Sequence, residues 1–280
     1  MHEVAIIGAG ELGGACAHIL ARQNFVASIR LVDDRGSIAI GKALDITQAG
    51  PIEAFATRLT GTNDVASAAG ASVVIVADRA GGTEWEGEDA LRLVTRLTQM
   101  SASTVIVCAG AAQRELVDRA TREIRINRTR VFGSAPEALV AAARALIALA
   151  VDGSPRDVAV SVVGVPPAHA VVTWQGATIA GFAAAGLLDE PTRRRLDAHI
   201  HAMWPPAPYA LAAAAVAAID VIAGRSRRIL SCFVGPDVSS GVRAQTAALP
   251  VRLGPAGIAQ VIAPSLSAAE QIALQTAMML

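Results

Sequence analysis

Val4-Ala5-Ile6-Ile7-Gly8-Ala9-Gly10-Glu11-Leu12-Gly13 decides the fold. Four apolar, β-prone residues run into Gly-x-Gly-x-x-Gly, and a helix-forming stretch, Leu12–Arg22, follows at once. Each glycine has a separate task. The first permits a tight turn, the second lets backbone approach a pyrophosphate, and the third lets helix and strand pack closely. The helix N-terminus then presents unpaired N–H groups and its positive end to the phosphates. Asp33 closes the second strand 20 residues after Gly13, where a carboxylate binds the adenosine ribose hydroxyls and favours NAD over NADP. The expected cofactor-binding set is therefore Gly8, Ala9, Gly10, Glu11, Leu12, Gly13 and Asp33.

Working outward, the first half alternates short apolar runs with helical stretches. Strands are expected at Val4–Ile7, Ile29–Val32, Arg58–Leu59, Val73–Val76, Val105–Cys108 and Val131–Phe132, and helices at Leu12–Arg22, Asp89–Met100 and Arg114–Ile126. Runs that are apolar without alternation are buried on both faces, as in a parallel sheet covered by crossover helices. The second half mixes its elements. Helices are expected at Glu137–Val151, Thr192–Met203 and Tyr209–Ala223, with strands at Val158–Val163, Val171–Trp174, Ile229–Val234, Val251–Leu253 and Ile258–Ile262. A last helix opens with the capping box Ser267-Ala-Ala-Glu270. The pattern predicts an α/β protein, a Rossmann doubly wound parallel sheet over residues 1–134 followed by an α+β domain over residues 135–280.

Composition narrows the function classes. The chain is 53% hydrophobic and carries 24 basic and 24 acidic residues, with no basic stripe. Nucleic acid and anionic membrane are therefore not the expected partners. Three scattered cysteines in apolar surroundings (Cys16, Cys108 and Cys232) predict buried free thiols in a reducing, cytoplasmic setting. Val4–Ile7 is too short for a signal sequence. The charge-free run Val158–Leu188 is broken by Gly164, Pro166, Pro167 and Gly176, so it does not predict a membrane span. No cysteine, histidine or carboxylate set has metal-ligand spacing.

Further segments carry a family likeness. Gly41-Lys42-Ala43-Leu44-Asp45-Ile46, Thr60-Gly61-Thr62-Asn63-Asp64, Arg130-Val131-Phe132-Gly133, Thr178-Ile179-Ala180-Gly181 and Leu249-Pro250-Val251-Arg252-Leu253-Gly254 stand in the order found in the malate/lactate dehydrogenase family, nearest its malate branch. The sequence resembles that family along nearly its whole length. The resemblance implies an oxidoreductase that uses NAD on 2-hydroxy and 2-oxo acids, a small-molecule substrate and a homo-oligomer (dimer or tetramer). A mean hydropathy of +0.46 agrees with apolar surface to be covered.

Matching the family's functional positions one at a time gives no catalytic residues. The catalytic histidine falls on Pro166, which can neither donate nor accept a proton. The aspartate that orients it falls on Leu139, and the arginine that grips the substrate carboxylate on Ala142. The two arginines of the mobile loop fall on Gly81 and Gly87, and the asparagine beside the nicotinamide on Gly110. A glycine that lets backbone pass close to the cofactor is Asp78, whose charge is expected to repel a pyrophosphate. The adenosine half of the cofactor site is thus expected to persist and the nicotinamide half to be lost. The alternative to a dehydrogenase is a catalytically silent nucleotide-binding, regulatory or oligomeric partner protein. His169, Arg79 and Arg144 have no assigned role, and Gly81–Asp89 reads as a solvated acidic loop.

Overall fold

The computed structural model describes residues 1–237 and 245–279. Six parallel strands form the first half: β1 (Glu3–Ile7), β2 (Ser28–Val32), β3 (Arg58–Thr62), β4 (Val73–Val76), β5 (Val105–Cys108) and β6 (Val131–Gly133). They lie in the order β3-β2-β1-β4-β5-β6, so the winding reverses between β1 and β4. Helices α1 (Glu11–Arg22), α2 (Gly36–Glu53), α3 (Gly87–Met100) and α4 (Arg114–Arg122) make the crossovers. One apolar layer, holding Leu12, Cys16 and Leu20 of α1, covers one face of the sheet; a second, with Leu93, Val94 and Leu97 of α3, covers the other. This is why β4 and β5 are buried at every position. The three cysteines are buried and free.

The second half of the chain begins with α5 (Ala135–Ala150). It continues through β7 (Val158–Ala159), β8 (Val162–Val165), β9 (His169–Val172), β10 (Thr178–Ile179), β11 (Phe182–Ala183), α6 (Ala184–Leu187), α7 (Glu190–Ala202) and α8 (Pro208–Ile222). Strands β12 (Ile229–Val234), β13 (Ala247–Gly254) and β14 (Gly257–Val261) and helix α9 (Ala268–Met279) complete it. β12 pairs antiparallel with β6, which joins the second set of strands to the first. Among the described residues no helix is long and apolar enough to cross a membrane.

Three expectations need correction. Helix α4 stops at Arg122 rather than Ile126, because Arg125 takes a left-handed φ of 58°. The run Val158–Val163 is two strands: β7 pairs with β10, whereas β8 pairs with β9 and β13. Helix α2 stands where the sequence pattern picked out no helix. Its buried stripe is Ala39, Ala43, Ile46 and Gly50, nearly all small, while Ile40, Leu44 and Ile52 face outward and blur the helical period. The capping box at α9 forms as expected: Glu270 accepts from the Ser267 N–H at 2.7 Å, and Ser267 Oγ accepts from the Glu270 N–H at 3.3 Å.

Candidate functional site

In an open parallel sheet, ligands bind beyond the carboxyl ends of the strands where the winding reverses. Here that crevice lies between the loops after β1 and β4. The Gly8–Gly13 loop has the tight geometry its glycines predict. Gly8 sits at φ +112° and donates to Val32 O at 2.7 Å, and a Cβ at Gly13 would overlap the Gly8 carbonyl. Gly10 caps α1, yet no side chain of the loop itself completes the cap. Glu11 is exposed and Leu12 is buried in the core.

The missing cap comes from the neighbouring strand. The Asp78 carbonyl accepts from the Gly10 N–H at 3.0 Å. Its carboxylate accepts from the Gly13 N–H at 2.9 Å and lies over Gly10, where any Cβ would overlap it. Asp78 is only 6% exposed. A negative group thus already rests on the amides and positive helix end that the glycine loop offers to phosphates.

Asp33 is also engaged. Its Oδ2 accepts from the Ala9 N–H at 2.8 Å and the Ala80 N–H at 2.7 Å, while Oδ1 accepts from the Arg35 N–H at 2.9 Å. With 2% exposure it ties the glycine loop to the segment after β4. Its place at the end of β2 is the expected one, but in this conformation its oxygens are committed to backbone.

The segment after β4 folds back as a tight hairpin rather than a solvated loop. Asp78 bridges to Glu84, Arg79 N–H donates to Thr83 O at 2.8 Å, and Gly81 and Gly82 turn at φ +126° and +86°. Trp85 anchors it in the apolar layer beneath α3, with the Arg79 guanidinium 3.8 Å above the indole ring. Arg79 also pairs with Asp89 in the first turn of α3, so its cation ties the hairpin to that helix. Gly81 and Gly87 (φ +58°) both occupy backbone conformations that an arginine would enter only under strain.

Glu84 closes the other end of the crevice. It accepts from the Ala111 and Ala112 N–H groups, each at 3.0 Å, just before α4. A Cβ at Gly110 would overlap its carboxylate. Burial pushes the Glu84 carboxyl up and the two amides pull it back, with Glu86 and Asp78 adding upward pressure. The sequence places Asp78 beside the cofactor as a repelling charge but does not reveal its carboxylate's seat on the Gly13 amide, and it assigns Glu84 no place in the cleft. The available signal was Trp85, a large apolar side chain inside an acidic run.

The positions matched to the catalytic histidine, its orienting aspartate and the carboxylate-gripping arginine lie in the β8–β9 turn and in α5. Pro166, Pro167 and Ala168 form the turn of the β8–β9 hairpin, in which Val165 pairs with His169. His169 is exposed. Leu139 is fully buried in an apolar cluster with Ile147, Val162 and Ile200. Glu137, on another side of α5, accepts from the Ser231 N–H at 2.9 Å and from Arg228 at 3.2 Å, and burial raises its carboxyl pKa. Arg144 lies beside that carboxylate and draws it down. Of the acids near His199 and His201, Asp197 accepts from the Trp174 indole N–H at 2.9 Å.

Residues 2–102 match the family described as lactate/malate dehydrogenase, NAD binding domain. Malate dehydrogenase of Salinibacter ruber is 29% identical over 98% of this chain and 93% of its own length, and that of Roseiflexus castenholzii is 28% identical over 93% and 90%. The crystal structure of the Salinibacter ruber enzyme superposes with a TM-score of 0.82 at 27% identity, covering 98% of this chain and 93% of that one. Cryptosporidium parvum lactate dehydrogenase, complexed with lactic acid and NAD, shares the fold with a TM-score of 0.87 at 22% identity over 99% of this chain and 94% of that one. By near-full-length sequence likeness and by fold, this chain is similar to the malate and lactate dehydrogenases, and its residues 2–102 carry their NAD-binding domain.

Proposed function

We propose that this chain keeps the family's NAD-binding scaffold but has lost hydride transfer between NAD and 2-hydroxy acids, and acts as a nucleotide-responsive, self-associating protein. The observation that carries this reading is Pro166 at the β8–β9 turn, the position matched to the catalytic histidine. A proline in a peptide bond has no titratable nitrogen and cannot relay the hydroxyl proton. Support comes from Leu139, which packs in an apolar cluster where the orienting aspartate is matched. Gly81, Gly87 and Ala142 likewise supply no guanidinium for a substrate carboxylate. Loss of a proton relay and an arginine clamp together removes about six orders of magnitude of rate or more, at ~1.4 kcal/mol per decade.

The test is steady-state turnover of oxaloacetate, pyruvate and a panel of other 2-oxo acids with NADH, alongside calorimetric NADH binding. Background turnover is the expected result. Robust reduction of any of these acids would overturn the reading and make the chain a dehydrogenase with a rebuilt site. The Gly8–Gly13 loop and Asp33 remain the proposed cofactor-binding residues, with the adenosine end better preserved than the nicotinamide end. The division into domains after residue 134 is proposed on the same ground, because β6 is the last parallel strand.

A further inference from the structure

Two carboxylates from one short hairpin, one buried and one half-buried, occupy both ends of the crevice. Asp78 sits on the Gly13 amide at the start of α1, and Glu84 on the Ala111 and Ala112 amides that lead into α4. Both lie against glycines, Gly10 and Gly110, whose missing side chains leave the space the carboxylates fill. Amide groups aimed into a glycine-lined space at a helix N-terminus are the means by which this fold holds phosphate oxygens. A carboxylate on the same amides carries the same sign and uses the same donors. Holding the Glu84 carboxylate there has a cost: burial pushes its carboxyl up, and Glu86 and Asp78 add to that push. The amides, the buried Trp85 and the Arg79 guanidinium above it offset that cost and hold the hairpin down.

We propose that Asp78–Glu86 is an intramolecular competitor for the dinucleotide. The Asp78 carboxylate stands in for the pyrophosphate and the Glu84 carboxylate blocks the opposite end, so a nucleotide enters only when the hairpin lifts. The inference rests on the crevice being the chain's dinucleotide site, as the family match implies, and concerns occupancy rather than turnover. Apparent affinity is then the intrinsic affinity reduced by the fraction of molecules with the hairpin raised. Nucleotide binding and hairpin docking exclude each other, so each weakens the other by the same factor.

Each of the hairpin's two acids can be tested by substitution. Asp78→Gly removes the stand-in at the phosphate seat, and Asp78→Asn removes its charge while keeping its shape. Both variants should bind NADH at least tenfold more tightly than the parent in calorimetry, and ADP, which carries the diphosphate without nicotinamide, should gain as well. Glu84→Gln weakens the hairpin's hold on the Ala111 and Ala112 amides and should raise the affinity for NADH and ADP alike. In the parent, saturating NADH should speed amide hydrogen exchange across residues 79–86. Folded Asp78 variants that bind NADH no more tightly than the parent would overturn the proposal, as would NADH binding with unchanged exchange in that segment. Turnover of a 2-oxo acid by the parent would sink the proposed function and leave this competition standing, so the two ideas fail separately.

Discussion

At the scale of single residues, acids in this crevice serve backbone groups that have no other partner. Asp33 satisfies three N–H groups in three segments, and two of them, on Ala9 and Ala80, share one oxygen. Stranding a buried donor costs about 1–3 kcal/mol. Asp33→Ala strands both of those N–H groups and should lower stability by about 3 kcal/mol or more, read as a shift in urea midpoint at unchanged slope. A change under about 0.5 kcal/mol, the range of an ordinary surface substitution, would show that water replaces the carboxylate. Glu137 offers a test of sign. Its pKa is raised chiefly by burial, opposed by the Ser231 amide and by Arg144 and Arg228. The folded chain therefore binds this proton more readily than the unfolded chain. The stability linked to Glu137 is fully present below the ordinary glutamate range and is lost as pH rises through the raised value. The stability difference between parent and Glu137→Gln should shift in the parent's favour as pH falls from about 7 towards about 4.3, the ordinary glutamate value. A pH-independent difference would refute the assignment.

At the scale of elements, legibility followed how much of a segment's fate was local. β4 and β5 could be read from apolar runs alone, because a strand covered on both faces needs no partner to declare its type. The α9 cap was legible for the same reason: Ser267 and Glu270 act on each other across one turn. Glu270 also accepts from the Gln175 N–H at 3.2 Å, which ties the helix start to the segment before β10. α9 buries only Leu274 and Ala277 among its own residues, so its cap is a large share of what holds it. Ser267→Ala should cost about 0.5–2 kcal/mol and speed hydrogen exchange along residues 268–279. Unchanged exchange there would mean that the fit of Ala277 against Gly164 holds the helix without the cap. α2 escaped a pattern search because its inward face is made of alanine and glycine. The Asp78–Glu84 hairpin escaped it because its acids find their partners at the ends of two other strands, a long-range fact no local window contains. Asp78 stood out in the sequence as a charge that would repel phosphate; the fold puts that charge where phosphate would sit.

At the scale of the molecule, the question is what covers α2. Ile40 and Leu44, one turn apart, are more than half exposed, and Ile52 near the helix end is 88% exposed. Leaving such side chains in water forfeits about 25 cal/mol for each Å² of apolar surface that a neighbour could cover. Tyr209, also largely exposed, lines a hollow beside this helix with Lys42, Ile46 and Ala49. An apolar helix face beside a shallow hollow suits a second copy of the same surface, related by a twofold axis. The parent should therefore sediment as a dimer or larger at micromolar concentrations. The double variant Ile40→Glu with Leu44→Glu should sediment as a monomer with an unchanged circular dichroism spectrum, because neither side chain belongs to the core. A monomeric parent would remove self-association from the proposed function. A double variant that stays dimeric would move the interface off α2, leaving exposed Leu149 on α5 and Phe182 on β11 as the next apolar faces to mutate.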